Sequence, residues 1–388
     1  MDSVIRLREW EHGAPMRLSE QSLAVLAGLG HLMSLHTNGR GWTLRPKGIV
    51  GRIGLREGTL ELQPKHPVQS LCHMIAAVAG VPRLFESVTA LGDGGLPDLL
   101  VAGFVQRAEA LLSEGLRRDY VERRERLAVL RGRLDLPAHV RRPEALVTDL
   151  SCRHEDYTLD TPFNAVLRQT AEACHSRWPS IAGRLLRLRH RLAALPGARL
   201  RPEDIDRFRY DRLTEVYRPV HVFCRWILAS TQLGLGGEAR APGASFVVEM
   251  APLFERFVSL SLRARLPPPW HVKLQERVAL DQSRAIGLRP DVVVYRGDQP
   301  VAVVDAKYKL RDGGGPKNSD AYQMLAYARR YGVKRVWLVY PDDPVGERVL
   351  VMHDGTNEIV SVGLDLAAPW ENVEAELDRL AASVRAAS

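Results

Sequence analysis

The feature that most constrains the fold is a pair of valine-rich segments within residues 289–309. The first segment runs from Val292 to Tyr295, and a Gly-containing turn separates it from the second, which begins at Val301. Runs of β-branched residues broken by turn chemistry are typical of buried strands joined in a hairpin. The sequence therefore predicts two adjacent strands here.

Charged residues occur in these segments where apolar residues are expected. Asp291 precedes the first strand, and Asp305 and Lys307 occupy alternate positions of the second, so both are expected on one face. Burying a carboxylate costs free energy unless something compensates for the charge, and a divalent metal is the evident compensation. Aspartate oxygens are ligands that Mg²⁺ prefers.

We therefore interpret Asp291 and Asp305 as metal ligands and catalytic residues. Lys307 is interpreted as a catalytic residue that contacts the attacking water or the scissile phosphate. The alternative is an ordinary hairpin in which Asp305 and Lys307 form a surface salt bridge.

The composition is that of a globular protein with a polyanionic partner. The chain has 388 residues, enough for two or three domains, and 54 Lys and Arg against 46 Asp and Glu. No segment has the length of a membrane span or the pattern of a signal peptide, so we expect a cytoplasmic protein without a membrane partner. No Gly-x-x-x-x-Gly-Lys-Ser/Thr loop is present, so we expect no nucleotide bound by this chain itself. The scattered cysteines are expected to be reduced: Cys72, Cys152, Cys174 and Cys224.

Three regions are predicted along the chain. Residues 1–95 have the pattern of a small mixed α/β domain, residues 96–240 of a mainly helical connecting or partner-binding region, and residues 241–388 of an α/β domain. Within the middle region, apolar periodicity predicts one long helix that runs into the arginine-rich residues 121–126. Helices are predicted throughout residues 150–235.

The most basic part of the chain is residues 117–142. One interpretation is a solvated helix face whose glutamates partly offset the arginines. The other is an arm that contacts phosphate or a protein partner. Cys152 and His154 lie close by in a predicted loop, without the spacing of metal ligands.

The last third of the chain predicts a helix, three strands, a helix and a strand. The additional elements are a helix at Val248–Arg265, a strand at His271–Leu280, a helix at Ser319–Tyr331 and a strand at Arg335–Tyr340. This αβββαβ order, with Pro-Asp followed fourteen residues later by Asp-x-Lys, resembles the PD-(D/E)XK nuclease superfamily.

That resemblance implies further site residues. Glu255, on the helix before the strands, corresponds to an extra acid that assists catalysis and metal binding, and the carbonyl of Ala306 to a further metal ligand. Gln323 and Tyr327 share a helix face and are similar to a Gln-x-x-x-Tyr motif of RecB-like members, which implies substrate binding together with Lys309. The implied cofactor is Mg²⁺ or Mn²⁺. The alternative for Glu255 is a solvated glutamate on the helix surface. The alternative for Gln323 and Tyr327 is an ordinary amphipathic helix that contains both residues.

Four segments extend the resemblance along the chain: residues 58–65 (GTLELQPK), 115–120 (GLRRDY), 130–134 (LRGRL) and 160–167 (DTPFNAVL). Together they resemble McrC, the nuclease subunit of McrBC-type restriction systems. Tyr308 stands where relatives can carry a tryptophan, a difference that we expect to leave the chemistry unchanged.

The McrC resemblance implies a DNA endonuclease subunit that acts with a McrB-like AAA+ GTPase ring on methylated DNA. The N-terminal half would dock in the ring and stimulate GTP hydrolysis, while the C-terminal half cuts. The basic residues 117–142 are our candidate for part of the ring contact. The alternatives are a stand-alone RecB-like nuclease in repair or mobile-element biology, and a non-catalytic regulator of an NTPase.

Overall fold

The structure is a computed structural model, and the residues that it describes form two compact units. One unit combines the segment up to Pro97 with the segment from Leu233 onward, and the other comprises Asp98–Gln232. The predicted boundary near residue 240 lies outside the described residues, and the roles of the three predicted regions remain predictions. The described residues are 4–37, 39–81, 83–85, 95–141, 149–174, 181–195, 197, 199–232, 246–309, 316–341, 347–353 and 355–387.

The helices and strands follow one another along three segments. The N-terminal segment contains β1 (Val4–Arg8), α1 (Glu20–Ala27), a 3₁₀ turn (Gly30–Leu32), β2 (Met33–Thr37), β3 (Trp42–Pro46), β4 (Ile49–Leu55), β5 (Gly58–Gln63) and α2 (Val68–Ala79). The middle segment contains α3 (Leu96–Glu114), β6 (Asp119–Leu127), β7 (Arg133–Leu134), α4 (Leu136–Val140), β8 (Leu150–Thr158), α5 (Pro162–Ala173), α6 (Ala182–Leu192), α7 (Pro202–Ile205), a 3₁₀ turn (Glu215–Tyr217) and α8 (Arg218–Gln232). The C-terminal segment contains β9 (Phe246–Glu249), α9 (Met250–Arg265), β10 (Trp270–Leu274), β11 (Val278–Ala279), β12 (Gly287–Leu288), β13 (Val292–Arg296), β14 (Gln299–Ala306), α10 (Asn318–Tyr331), β15 (Arg335–Tyr340), β16 (Glu347–Val351), β17 (Glu358–Gly363) and α11 (Trp370–Ala386).

A four-stranded sheet joins the two segments of the first unit. Its order is β1-β5-β4-β9, and β4 pairs antiparallel with both β5 and β9. At Gly51, where φ is 143°, an added Cβ would lie 2.0 Å from the carbonyl oxygen of Phe246, so the close approach requires glycine. The first turn of α9 is tied to the same sheet, since the Met250 amide donates a hydrogen bond of 2.9 Å to Gly48. The N-terminal sheet thereby sets where α9 begins.

A six-stranded sheet, in the order β10-β13-β14-β15-β17-β16, forms the centre of the C-terminal segment. The hairpin β13–β14 is antiparallel, whereas β14, β15 and β17 run parallel. Helix α10 connects β14 to β15, and its Met324 and Tyr327 share a buried core with Val303 and Leu338. The predicted element order is present as α9, β10, β13, β14, α10 and β15, with the short β11–β12 ladder inserted.

Several boundaries in this segment differ from the prediction. Strand β14 begins at Gln299 rather than Val301 and ends at Ala306, one residue before Lys307, and α10 begins at Asn318 rather than Ser319. The helix predicted from Val248 begins at Met250, because the preceding residues pair with β4 as strand β9. The strand predicted at His271–Leu280 is interrupted and forms β10 and β11. The difference at α9 arises from pairing with the distant strand β4, and in the interrupted strand β11 forms a local ladder with β12.

The second unit contains a sheet where helices were predicted. Its strands are ordered β6-β8-β7, and β6 pairs antiparallel with β8 from Asp119–Thr158 to Leu127–Leu150. The predictions that the helix continues through residues 121–126 and that residues 150–158 are helical are therefore wrong. Arginine and glutamate favour helices intrinsically, but nine residue pairs of ladder outweigh that preference. The loop predicted around Cys152 and His154 is part of β8. Of the arginines in residues 117–142, Arg123, Arg124 and Arg126 lie on β6 and Arg133 on β7, while Arg142 lies outside the described residues.

Among the described residues, no helix has both the length and the apolar character needed to cross a membrane.

Candidate active site

The hairpin β13–β14 brings two buried carboxylates together. Its register pairs Val292 with Val304, so Asp291 and Asp305 lie opposite each other one step further along, with side chains on the same face. Asp291 is 8% exposed and Asp305 is 1% exposed. The main-chain amide of Ala306 donates a hydrogen bond of 2.9 Å to Oδ2 of Asp291, which fixes that carboxylate against the neighbouring strand.

Both carboxylates resist ionisation in this environment. Burial, followed by the charge of Asp305, raises the pKa of Asp291 to about 7. Burial also raises the pKa of Asp305 above its usual value, although the Lys307 ammonium opposes the shift. A positive charge added beside these two buried acids would therefore stabilise their ionised form.

Lys307 supplies positive charge to this pair. Its Nζ lies 2.6 Å from Oδ2 of Asp305, and only 2% of the Asp305 side chain is exposed, so this ion pair is not at the surface. Burial lowers the pKa of Lys307, but the neighbouring carboxylates of Asp305, Asp291 and Asp320 together outweigh that effect, and the pKa is raised. The Lys307 amide donates a hydrogen bond of 2.8 Å to the carbonyl of Val339 on β15, which ties the end of β14 to the sheet.

Glu255 approaches the same site from α9. Burial raises its pKa; Lys307 lowers it and Asp305 raises it, as expected for a group close to both. Among the described residues, however, no three histidine, cysteine, aspartate or glutamate side chains have the arrangement of a metal site. In this conformation Glu255 therefore does not close a three-carboxylate cluster with Asp291 and Asp305.

The two aspartates alone have the chemistry of a divalent-ion site. Oδ2 of Asp305 is buried, and the Lys307 ammonium lies 2.6 Å from it. Two adjacent buried carboxylates, both with raised pKa values, are a set of hard oxygen ligands. These residues fit Mg²⁺ or Mn²⁺.

The candidate substrate-binding residues Gln323 and Tyr327 interact with each other. Nε2 of Gln323 donates a hydrogen bond of 2.7 Å to the hydroxyl of Tyr327. Tyr327 is 1% exposed, and burial followed by the charge of Asp305 raises its pKa. The phenol therefore lies near the carboxylates, but inside the protein.

Lys309, the third such candidate, is held by an acid that the sequence analysis missed. Its Nζ lies 2.6 Å from each carboxylate oxygen of Asp320, which also accepts a hydrogen bond of 3.2 Å from the hydroxyl of Tyr340. Asp320 is 4% exposed, and its charge raises the pKa of Asp305. The only sequence signal was an acid in the first turn of α10, which ordinarily indicates an interaction with the helix dipole.

Comparison with known proteins identifies the family. The model of the family "McrBC 5-methylcytosine restriction system component" matches residues 44–341. No curated protein matches the chain. A solved structure described as a refined half-complex from a tetradecameric assembly of Thermococcus gammatolerans McrB AAA+ hexamers with bound McrC is similar, with a TM-score of 0.58, 18% identity, and coverage of 97% of this chain and 100% of that chain. A second, the cryo-EM structure of the Thermococcus gammatolerans McrBC complex, has a TM-score of 0.44, 17% identity, and coverage of 68% of this chain and 88% of that chain. Because the family model spans more than half of its length, the chain belongs to the McrBC 5-methylcytosine restriction system component family.

Proposed function

We propose that this chain is the DNA-cutting subunit of a McrBC-like restriction system and hydrolyses phosphodiester bonds with Mg²⁺. The observation that carries the proposal is the buried pair Asp291 and Asp305, with Lys307 2.6 Å from the second carboxylate. Membership of the restriction-system family supports the same assignment. The proposal includes the PD-(D/E)XK arrangement for the α9–β15 segment.

Each site residue has a role that follows from its position. Asp291 and Asp305 would hold the divalent ion, with the carbonyl of Ala306 as a further ligand and Glu255 as an acid able to join them. When bound, the ion supplies positive charge that polarises the scissile phosphate and lowers the pKa of a water molecule. Lys307 stabilises the negative charge that develops on the phosphate, or orients the attacking water.

A McrB-like AAA+ GTPase is the proposed partner. A structure similar to this chain is described as McrB AAA+ hexamers with bound McrC. The surface that we assign to this contact lies within the arginine-rich residues 117–142 and includes strand β6, whose Arg124 and Arg126 are exposed. Methylated DNA is the proposed substrate, with the modification recognised by the partner rather than by this chain.

Plasmid cleavage tests the proposal. Methylated and unmethylated plasmids are incubated with Mg²⁺ and wild type, Asp305→Asn or Asp298→Asn, each with and without the GTPase and GTP. Asp298 is the matched control because it lies exposed in the β13–β14 turn. We expect cutting of methylated plasmid by wild type and Asp298→Asn, only with GTPase and GTP, and none by Asp305→Asn.

Other outcomes identify the alternatives. Cutting by wild type in the absence of the GTPase would favour a stand-alone nuclease. GTPase stimulation without cutting in any mixture would favour a non-catalytic regulator. Cutting by Asp305→Asn in a clean preparation would contradict the site assignment.

A further inference from the structure

The residue between the two site lysines is anchored far from the hairpin. Tyr308 is 5% exposed, and its hydroxyl donates a hydrogen bond of 3.0 Å to Oε2 of Glu9. Glu9 follows strand β1 and is 2% exposed. The same oxygen accepts a hydrogen bond of 3.1 Å from the amide of Lys65, two residues after the end of β5. The N-terminal sheet therefore holds the chain directly after Lys307.

The ring of Tyr308 is enclosed by the same part of the molecule. His66 meets the ring edge-on with centroids 6.1 Å apart, and Nζ of Lys65 lies 4.8 Å from its centroid. Phe254 of α9 packs against it at 5.9 Å, immediately before the candidate ligand Glu255. One buried side chain thus contacts the N-terminal sheet, the segment after β5 and the helix that carries Glu255.

Three consecutive residues at the end of β14 are each fixed by a different element. The Lys307 amide is bonded to β15, the Tyr308 hydroxyl to Glu9, and the Lys309 ammonium to Asp320 of α10. Of these three, only the Tyr308 bond reaches the N-terminal segment. Catalysis by a positioned lysine is sensitive to shifts of about 1 Å, so the anchoring of this segment bears directly on the reaction.

We propose that Glu9 and Tyr308 are positioning residues, whose buried hydrogen bond holds the Lys307–Lys309 segment in place for catalysis. The inference rests on the proposed nuclease function for its catalytic consequence, but its structural part does not. It revises the expectation that a tryptophan at position 308 would leave the chemistry unchanged, because the tyrosine hydroxyl makes the anchoring contact.

The test removes the Tyr308 hydroxyl and compares the effect on cleavage with that of removing the hydroxyl of another tyrosine. Tyr308→Phe keeps the ring and deletes the bond to Glu9. Tyr331→Phe is the control, because the Tyr331 hydroxyl donates a hydrogen bond of 3.1 Å to another glutamate, Glu276. We expect Tyr308→Phe to lower the cleavage rate at saturating DNA roughly tenfold, with little change in DNA affinity, while Tyr331→Phe cleaves at the wild-type rate.

A double-mutant cycle shows whether the two residues act as a pair. Glu9→Met, Tyr308→Phe and the double variant are compared with wild type. Because both single changes break the same bond, the double variant should lose no more activity than the worse single variant. If the loss of activity in the double variant equals the product of the two single losses, the two residues act independently, and the proposed pair does not position the segment.

Hydrogen exchange separates this inference from the proposed function. We expect the Lys307 amide to exchange at least about tenfold faster in Tyr308→Phe than in wild type or Tyr331→Phe, whether or not the protein cuts DNA. Unchanged protection at Lys307 would overturn the inference. Faster exchange in a protein that never cuts DNA would support the positioning of the segment and count against the nuclease proposal alone.

Discussion

Nζ of Lys307 lies 2.6 Å from Oδ2 of Asp305, two residues earlier on the same strand end. The lysine thus folds back along its own strand instead of extending into solvent. The ammonium supplies the positive charge that a carboxylate with 2% exposure requires in the absence of a metal. The same residue therefore acts on stability and, in our proposal, on catalysis.

Lys307→Met should separate these two effects. We expect cleavage to fall by at least about a hundredfold. The free energy of unfolding at pH 8 without metal should fall by about 3–5 kcal/mol, because Asp305 is left buried and unpaired. Since protonation of Asp305 removes the unpaired charge, the loss should be smaller at pH 5. Urea unfolding at both pH values measures it. Lys334→Met, which removes the exposed lysine of an ion pair with Glu358, should cost less than about 1 kcal/mol; equal losses in both variants would contradict the prediction.

Asp291 should make the metal-free protein less stable as the pH rises. Its pKa is about 7 in the folded protein, well above that of an ordinary aspartate. Its contribution is therefore fully present below the ordinary aspartate pKa and is lost as the pH rises toward 7. In EDTA, wild type should lose a few kcal/mol relative to Asp291→Asn between about pH 4 and pH 7, with no further divergence above. Parallel stability curves from urea unfolding would refute the raised pKa.

Divalent ions should stabilise the folded protein through the two aspartates. A ligand at ten times its Kd adds about 1.4 kcal/mol to the free energy of unfolding. We expect Mg²⁺ or Mn²⁺ to raise the Tm of wild type and of Asp298→Asn, and to leave that of Asp305→Asn nearly unchanged. Thermal scans with and without EDTA measure the shift. A full shift in Asp305→Asn would place the ion elsewhere.

The contact with the GTPase should depend on β6. Arg124 and Arg126 of this strand are exposed, and the ring of its exposed Tyr120 lies 5.0 Å from that of Tyr157 on β8. Arg126→Glu should lower the stimulation of GTP hydrolysis at least several-fold while leaving the Mg²⁺-induced Tm shift unchanged. Arg187→Glu makes the same charge change on α6 and should have little effect. Equal losses in both variants would indicate a general charge effect rather than a contact.

The local sequence pattern was sufficient to predict the hairpin that carries the candidate site. Alternation along β14 predicted the strands around Asp305, and the structure places Asp291 opposite it. Their catalytic roles remain predictions. Asp320 escaped notice because nothing in the sequence near it signals that its helix turn faces Lys309.

Pairing between strands that are distant in the sequence accounts for the errors in the predicted fold at β6 and β9. Strands β6 and β9 are recognisable only from their partners β8 and β4, which lie far away along the chain. The hydrogen bond between Glu9 and Tyr308 joins residues that are 299 positions apart in the sequence. No local periodicity reports such a contact.

The pairing of β4 with β9 also affects the synthesis of the protein. The four-stranded sheet cannot be completed until the ribosome has made Glu249, long after β4 has emerged. At roughly 5–20 residues per second, the edge of β4 waits on the order of tens of seconds for its partner. During that interval the second unit is made and can fold, while the nascent N-terminal segment keeps an unpaired strand edge of the kind that chaperones protect from aggregation.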